Sequence, residues 1–273
     1  MRRAGHALPG IRLALTLLTV APLRSDPSGR SSTGGPDARA DALPIDRATA
    51  AVAMSVAPAV GALLGLVLAG LGLAVREFGA APLLAAVLTI GTGVLLTRAL
   101  HLDGLADTVD ALGSYADRAR ALAIMRQPDV GPFGVVAIVL SLLSQVAAAS
   151  VVLTRPWLSA AIGVMTATAA GRLAIAACCR RGVPSARPGG LGALVASTVP
   201  TPALLLSTAA LLALAAAAVP GRAWQGPAAV LAGLGAVLVG QRHVTRRLGG
   251  VTGDVLGAGC ELGTVITYVM LAM

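Results

Sequence analysis

Apolar runs of about 18–25 residues recur along this chain, each the length a helix needs to cross the roughly 30 Å hydrocarbon core of a bilayer at 1.5 Å per residue. In lipid, every backbone N–H and C=O must find its partner within the protein, so repeated runs of this length leave a helical bundle as the architecture. The composition agrees. Over 273 residues, 56% are hydrophobic and 12% charged, far from the balance of a soluble globular domain. The expected fold is therefore all-α: one polytopic integral membrane domain over 1–273, embedded in the lipid bilayer. Six spans are expected at 48–75, 79–98, 133–153, 157–178, 198–219 and 255–273, with a shorter seventh at 226–240. Their Ala/Gly/Leu character suits close helix packing in lipid. Pro58, Pro200 and Pro202 lie near span starts, where kinks are expected.

Ahead of these spans, residues 11–22 are too short to cross and predict an interfacial or re-entrant helix. Met1–Pro22 resembles a signal peptide in its basic start and apolar run, but it lacks a small-x-small cleavage site and is expected to be retained. The Gly/Ser/Asp/Arg/Pro-rich stretch 23–47 reads as a flexible loop without chemistry.

The formal charge of +9 is not a nucleic-acid signature. All the basic residues are arginine, they sit in short loops between apolar runs, and aromatic stacking partners make up only 2% of the chain. Topology explains them better. With the 23–47 loop in the cytoplasm and seven alternating spans, the cytoplasmic segments collect Arg24, Arg30, Arg39 and Arg47, then Arg98, Arg118, Arg120 and Arg126. Arg180, Arg181, Arg187, Arg242, Arg246 and Arg247 follow on the same side, while the outside loops hold only Arg76, Arg155 and Arg222. This places three polar loops, 99–132, 180–192 and 241–254, at the cytoplasmic face of a multi-pass protein of the cell membrane. Cys178, Cys179 and Cys260 form no metal or redox pattern.

The first of those loops carries the chemistry. Asp103, Asp107 and Asp110 stand at i, i+4 and i+7, which puts all three carboxylates on one helical face. Like charges so close repel unless a cation lies between them. All-oxygen ligands suit a hard divalent ion, Mg²⁺ before Zn²⁺, which takes a few carboxylates and completes its shell with water and substrate phosphates. A solvated acidic helix face is the plainer alternative. In the third loop Asp254 and Glu261, at i and i+7 in GGVTGDVLGAGCELG, share a face in a glycine-rich setting that allows close approach to a ligand. They are expected to complete the site, Asp254 as a metal ligand and either one open as general base. Arg172 lies inside the 157–178 run and is expected to face the bundle interior, neutralising a carboxylate or phosphate. By spacing alone, His101 reads as a supporting residue rather than a ligand.

HLDGLADTVDALG, followed by IMRQPDVGPFGVVAIVL and the closing GGVTGDVLGAGCEL, resembles the cobalamin synthase (adenosylcobinamide-GDP ribazoletransferase) family. PAVGALLG at Pro58–Gly65 and the pair Gly171–Arg172 carry the likeness over nearly everything outside 23–47. The chain departs from the family's pattern at Ala111, at Arg126–Gln127 and at Val20. The resemblance implies a membrane transferase acting on adenosylcobinamide-GDP and α-ribazole or its 5′-phosphate, with release of GMP. It also implies Mg²⁺, catalytic Asp103, Asp107, Asp110, Asp254 and Glu261, and substrate contacts at His101, Arg126, Gly131, Gly134 and Arg172. The oligomeric state stays open, a homo-oligomer included. A CDP-alcohol phosphatidyltransferase would need an arginine soon after the first DG, where Leu105–Ala106–Asp107 stand. A transporter would show inverted repeats and acids at the bilayer midplane, and neither is visible.

Overall fold

The computed structural model describes residues 6–19 and 46–273. The described residues are helical, apart from turns and two isolated β-bridges. In order the helices are α1 (Ala7–Leu18), α2 (Arg47–Glu77), α3 (Pro82–Leu96), α4 (Leu100–Gly113), α5 (Arg118–Ile124) and α6 (Pro132–Val152). After them come α7 (Trp157–Cys178), α8 (Leu191–Val195), α9 (Thr201–Ala215), α10 (Gln225–Leu248) and α11 (Gly253–Ala272). The chain is a multi-pass membrane bundle. Five helices (α2, α6, α7, α10 and α11) are long and apolar enough to span, and a sixth counts if α3 and α4 are taken together across their 85° bend. α9, with 15 residues, falls short of the roughly 20 a span needs.

Hydropathy located four of the six expected spans (α2, α6, α7 and α11), but 79–98 and 198–219 hold only the 15-residue α3 and α9, and not every helix end was placed. The expected short span at 226–240 is a 24-residue helix that continues through Arg242, His243, Arg246 and Arg247. Arginine is a good helix former, and cations near a C-terminus complement the helix dipole, so the backbone stays helical after the apolar run stops. Gly249, at φ 82°, then closes the helix. The 99–132 loop likewise contains α4 and α5. Pro58 sits inside α2 without ending it, whereas Pro200 and Pro202 begin α9. α1 packs against the start of α2 and is too short to span. The signal-peptide cleavage region, the departure at Val20 and the expected 23–47 loop up to residue 45 lie outside the described residues.

α7 is the hub of the bundle, nearly all of it buried between α2 and α11. Small residues permit this closeness: a Cβ at Gly65 would come 2.6 Å from the Cα of Met165, and one at Gly171 would come 2.8 Å from the Cys260 carbonyl. Outward-facing Leu63, Leu66, Val67, Leu140, Leu143 and Leu206 supply an apolar surface for lipid.

Contacts between connections sort the two ends of the bundle. At one end Arg47 donates to the carbonyls of Ala193 and Ala196, Arg118 to Ala186 and Arg247 to Ala116. At the other, Arg76 donates to Leu153, and Arg155 to Ala218 and Leu271. The three polar loops of the sequence therefore share one end, and the connections carrying Arg76, Arg155 and Arg222 share the other.

Candidate functional site

The site starts from a break in the backbone. α3 ends at Leu96, and Arg98 and Ala99 both adopt left-handed conformations, at φ 55° and 54°. Neither is glycine, so each costs on the order of 1–2 kcal/mol, a strain that collects at functional sites. The amides of Arg98 and Ala99 fold back onto the carbonyls of Leu95 and Val94, and the chain leaves at 85° to α3. α4 consequently runs across the bundle, at the level where α6 and α11 begin, rather than through it.

This turn lays Asp103, Asp107 and Asp110 along one face of α4, in steadily deeper surroundings: Asp103 is exposed, Asp107 half-buried and Asp110 buried. Asp107 lies within electrostatic range of Asp103, Asp110 and, from α11, Asp254. Burial first, and then the charges of Asp103 and Asp254, push the Asp107 carboxyl up to about 6, with the Arg187 guanidinium opposing. Asp254 sits in the first turn of α11, where the helix dipole favours an anion. Thr252 caps that helix by accepting from the Val255 amide at 3.2 Å, and its hydroxyl donates to Asp254 Oδ2 at 3.1 Å.

Gly104 makes the meeting of α4 and α11 possible. A Cβ there would lie 2.7 Å from the Asp254 carbonyl oxygen and 2.9 Å from its Cα. Beside this contact, Met54, His101, Asp103, Ile175, Asp254 and Gly257 line a cavity of about 210 Å³. His101 is only 4% exposed, and burial, with Arg172 second, drops it to about 3. It is a neutral imidazole in the wall of this cavity.

Two expected members of the site are employed differently. Asp110 accepts from the amide of Gly131 at 2.7 Å and from that of Gly134 at 2.9 Å, capping the N-terminus of α6 from a different helix. A side chain at either glycine would collide with this carboxylate, which accounts for both glycines without a substrate. Glu261 shares a helical phase with Asp254 but lies two turns, about 10 Å, further along α11. There it accepts from Gln145 at 2.8 Å and Ser141 at 3.2 Å on α6. It borders a separate cavity of about 40 Å³ with Thr168, Arg172, Thr264 and Tyr268, so it does not join Asp103 and Asp107. Arg172, 6% exposed, donates to the Thr168 carbonyl, and its Nε has no partner. Of the closing motif's glycines, Gly253 and Gly257 line the cavity beside Asp254, whereas Gly250 admits the backbone of Pro184–Ala186.

That last contact delivers a residue the sequence reading treated only as topology. Val251 donates to the Pro184 carbonyl at 2.9 Å and Ala186 to the Val251 carbonyl at 3.0 Å, pinning the 183–188 segment beside the start of α11. Arg187 is thereby held opposite Asp254 and Asp107, with Arg126 near enough to repel it. Burial and Arg126 lower the Arg187 guanidinium, and the two carboxylates act the other way. Only the motif-free spacing of 185 and 251 connects these segments, and no sequence pattern announces it.

Asp107 and Asp254 thus lie within electrostatic range of Asp103, of each other and of Arg187, where α4 crosses the start of α11. Among the described residues no group of three or more His, Cys, Asp or Glu side chains forms a ready-made metal cage. Oxygen ligands this few suit an ion that draws the rest of its shell from water and phosphate.

The family model described as Cobalamin-5-phosphate synthase matches residues 10–272. A Frankia casuarinae protein named adenosylcobinamide-GDP ribazoletransferase is 40% identical, covering 96% of this chain and 94% of its own length. Proteins of the same name from a Nocardioides species and from Corynebacterium efficiens are 40% and 37% identical, over 84% and 97% of this chain and 90% and 91% of theirs. No solved structure matches the chain.

Proposed function

The chain belongs to the cobalamin-5-phosphate synthase family, and from that premise we propose how its site performs the family's reaction. The reaction transfers the adenosylcobinamide-phosphate group from adenosylcobinamide-GDP to α-ribazole or α-ribazole 5′-phosphate. GMP leaves, and adenosylcobalamin or its 5′-phosphate forms. The relatives described above carry one activity name, which leaves the phosphatidyltransferase alternative without support.

A ribose hydroxyl attacks the corrinoid-bearing phosphorus, the P–O bond to GMP breaks, and the hydroxyl proton passes to a carboxylate of the site. No protein nucleophile is needed. Catalysis in phosphoryl transfer is chiefly positioning and charge neutralisation, and both can be assigned here. Asp103, Asp107 and Asp254 are the residues that would hold Mg²⁺, which when bound would supply neutralisation of charge on the pyrophosphate. Asp107, raised first by burial and then by the neighbouring charges of Asp103 and Asp254, would be relieved by a cation placed among these carboxylates. Arg187 faces the same point and offers a planar fork of donors to a phosphate oxygen. Asp110 is a positioning residue that fixes α6 against α4, and His101 is a neutral wall of the adjoining cavity. We place this end of the bundle in the cytoplasm, at the inner face of the cell membrane, because nearly all loop arginines collect there. We also treat 1–273 as a single domain.

The observation that carries this reading is the contact of α4 with the start of α11, which joins the two acidic motifs opposite Arg187. The test is GMP release by purified protein in lipid nanodiscs supplied with adenosylcobinamide-GDP and either acceptor. Release should require Mg²⁺ and stop with EDTA; no release with either acceptor would end the proposal.

A further inference from the structure

Beside the aspartate cluster the same end of the bundle holds a solvent-open basin of about 490 Å³, lined by Arg47, Arg118, Arg187, Ser185 and Ser197 among others. Its volume falls within the roughly 300–1,000 Å³ of small-molecule sites. Each guanidinium has five N–H donors, and few are used here. Arg118 gives one to the Ala186 carbonyl, Arg187 one to Leu122, and Arg47 two to the end of α8. The Arg187 Nε is buried without a partner. None of the three touches a carboxylate: the one ion pair among the described residues joins His6 to Asp46. Three cations around one opening, with donors to spare and no acid in contact, make an anion site. Arg187 belongs to both places, since it lines the basin and also faces Asp107 and Asp254.

We propose that this basin seats the 5′-monophosphate of a nucleoside carried by one of the two substrates, an assignment that rests on the reaction proposed above. A phosphate monoester supplies the charge and the fork-matching oxygens that arginines select. The basin's continuity with the aspartates through Arg187 places that phosphate one step from the reacting pyrophosphate. Two species have this chemistry: the 5′-phosphate of phosphorylated α-ribazole, and the GMP released from the activated corrinoid, whose phosphate becomes a monoester once the pyrophosphate is cleaved.

The experiment measures KM for adenosylcobinamide-GDP, α-ribazole and α-ribazole 5′-phosphate in phosphatidylcholine nanodiscs. It compares the full-length wild type, Arg118→Gln and Ser197→Asp. Ser197 is exposed with φ 62°, a conformation Asp tolerates, so the second variant adds a negative charge at little structural cost. Both variants should raise KM about tenfold or more for one phosphorylated substrate, with α-ribazole unmoved. A rise for α-ribazole 5′-phosphate alone assigns the basin to the acceptor; a rise for the donor alone assigns it to GMP. Unchanged constants, or equal rises for α-ribazole and its phosphate, overturn the proposal. If the wild type releases no GMP at all, the reaction itself is wrong. GMP binding by calorimetry then judges the basin alone, and equal affinity in wild type and Arg118→Gln would refute it.

Discussion

Asp103 and Asp110 are the same residue type on one face of one helix, yet their surroundings give them opposite work. Asp110 satisfies two amides at the start of α6, so Asp110→Ala should leave them unpaired and cost about 2–3 kcal/mol. Asp103 is exposed, and Asp103→Asn should leave the melting temperature unchanged while cutting GMP release by about 10² or more. Thermal melts beside turnover separate the two; equal melting losses would remove the distinction. Asp107 adds a pH signature. Its carboxyl is raised from 3.8 to about 6, so the native state holds that proton longer than the unfolded chain does. Without metal, stability should therefore fall as pH rises from about 4 to about 6 and stay lower above that. The groups facing it are Asp103, Asp110, Asp254 and Arg187. Melting in EDTA across that window should show the slope in wild type and a flatter one in Asp107→Asn. Added Mg²⁺ should restore more stability at pH 7 than at pH 5.

At the scale of elements, the site depends on two helices touching backbone to backbone. Gly104→Ala would drive a methyl to 2.7 Å from the Asp254 carbonyl and push α4 off α11 while altering no carboxylate. A displacement near 1 Å can cost about 10² in rate, so turnover should fall by that order even where the protein still folds. Wild-type activity in this variant would show that the contact is dispensable. The spans and the aspartate face were legible in the sequence because each is a local pattern: apolar length for α2, α6, α7 and α11, and i, i+4, i+7 spacing for α4. What escaped was set by contacts between distant segments. Periodicity cannot tell that Asp110 meets the amides of Gly131 and Gly134 while Asp107 meets Asp254. It cannot show that two turns of rise carry Glu261 out of reach. Arg187 was hidden because the pairing of Ala186 with Val251 leaves no signature in either segment.

For the whole molecule, the two ends differ in character. Exposed Phe78, Trp157 and Trp224 mark the arginine-poor end, and exposed Tyr115 and Phe133 the arginine-rich one, as expected of side chains settling at membrane interfaces. The wild-type cysteines are all buried, so single cysteines can be introduced without removing them. A cysteine replacing Ser114 should react with impermeant reagents only from the cytoplasmic side, and one replacing Gly79 only from the opposite side. The reverse pattern would invert the proposed orientation. The 85° turn after α3 has a further effect. Because α4 turns 85° from α3, its aspartates form a row across that end of the bundle rather than a column along a spanning helix. The row as a whole therefore experiences the surface potential of the surrounding leaflet. About −30 mV from anionic headgroups concentrates a divalent cation at the surface roughly tenfold. The Mg²⁺ concentration giving half-maximal GMP release should accordingly fall by about that factor when zwitterionic nanodiscs are replaced by anionic ones. The ion supply of this enzyme would then be set by the membrane that holds it as much as by the solution that bathes it.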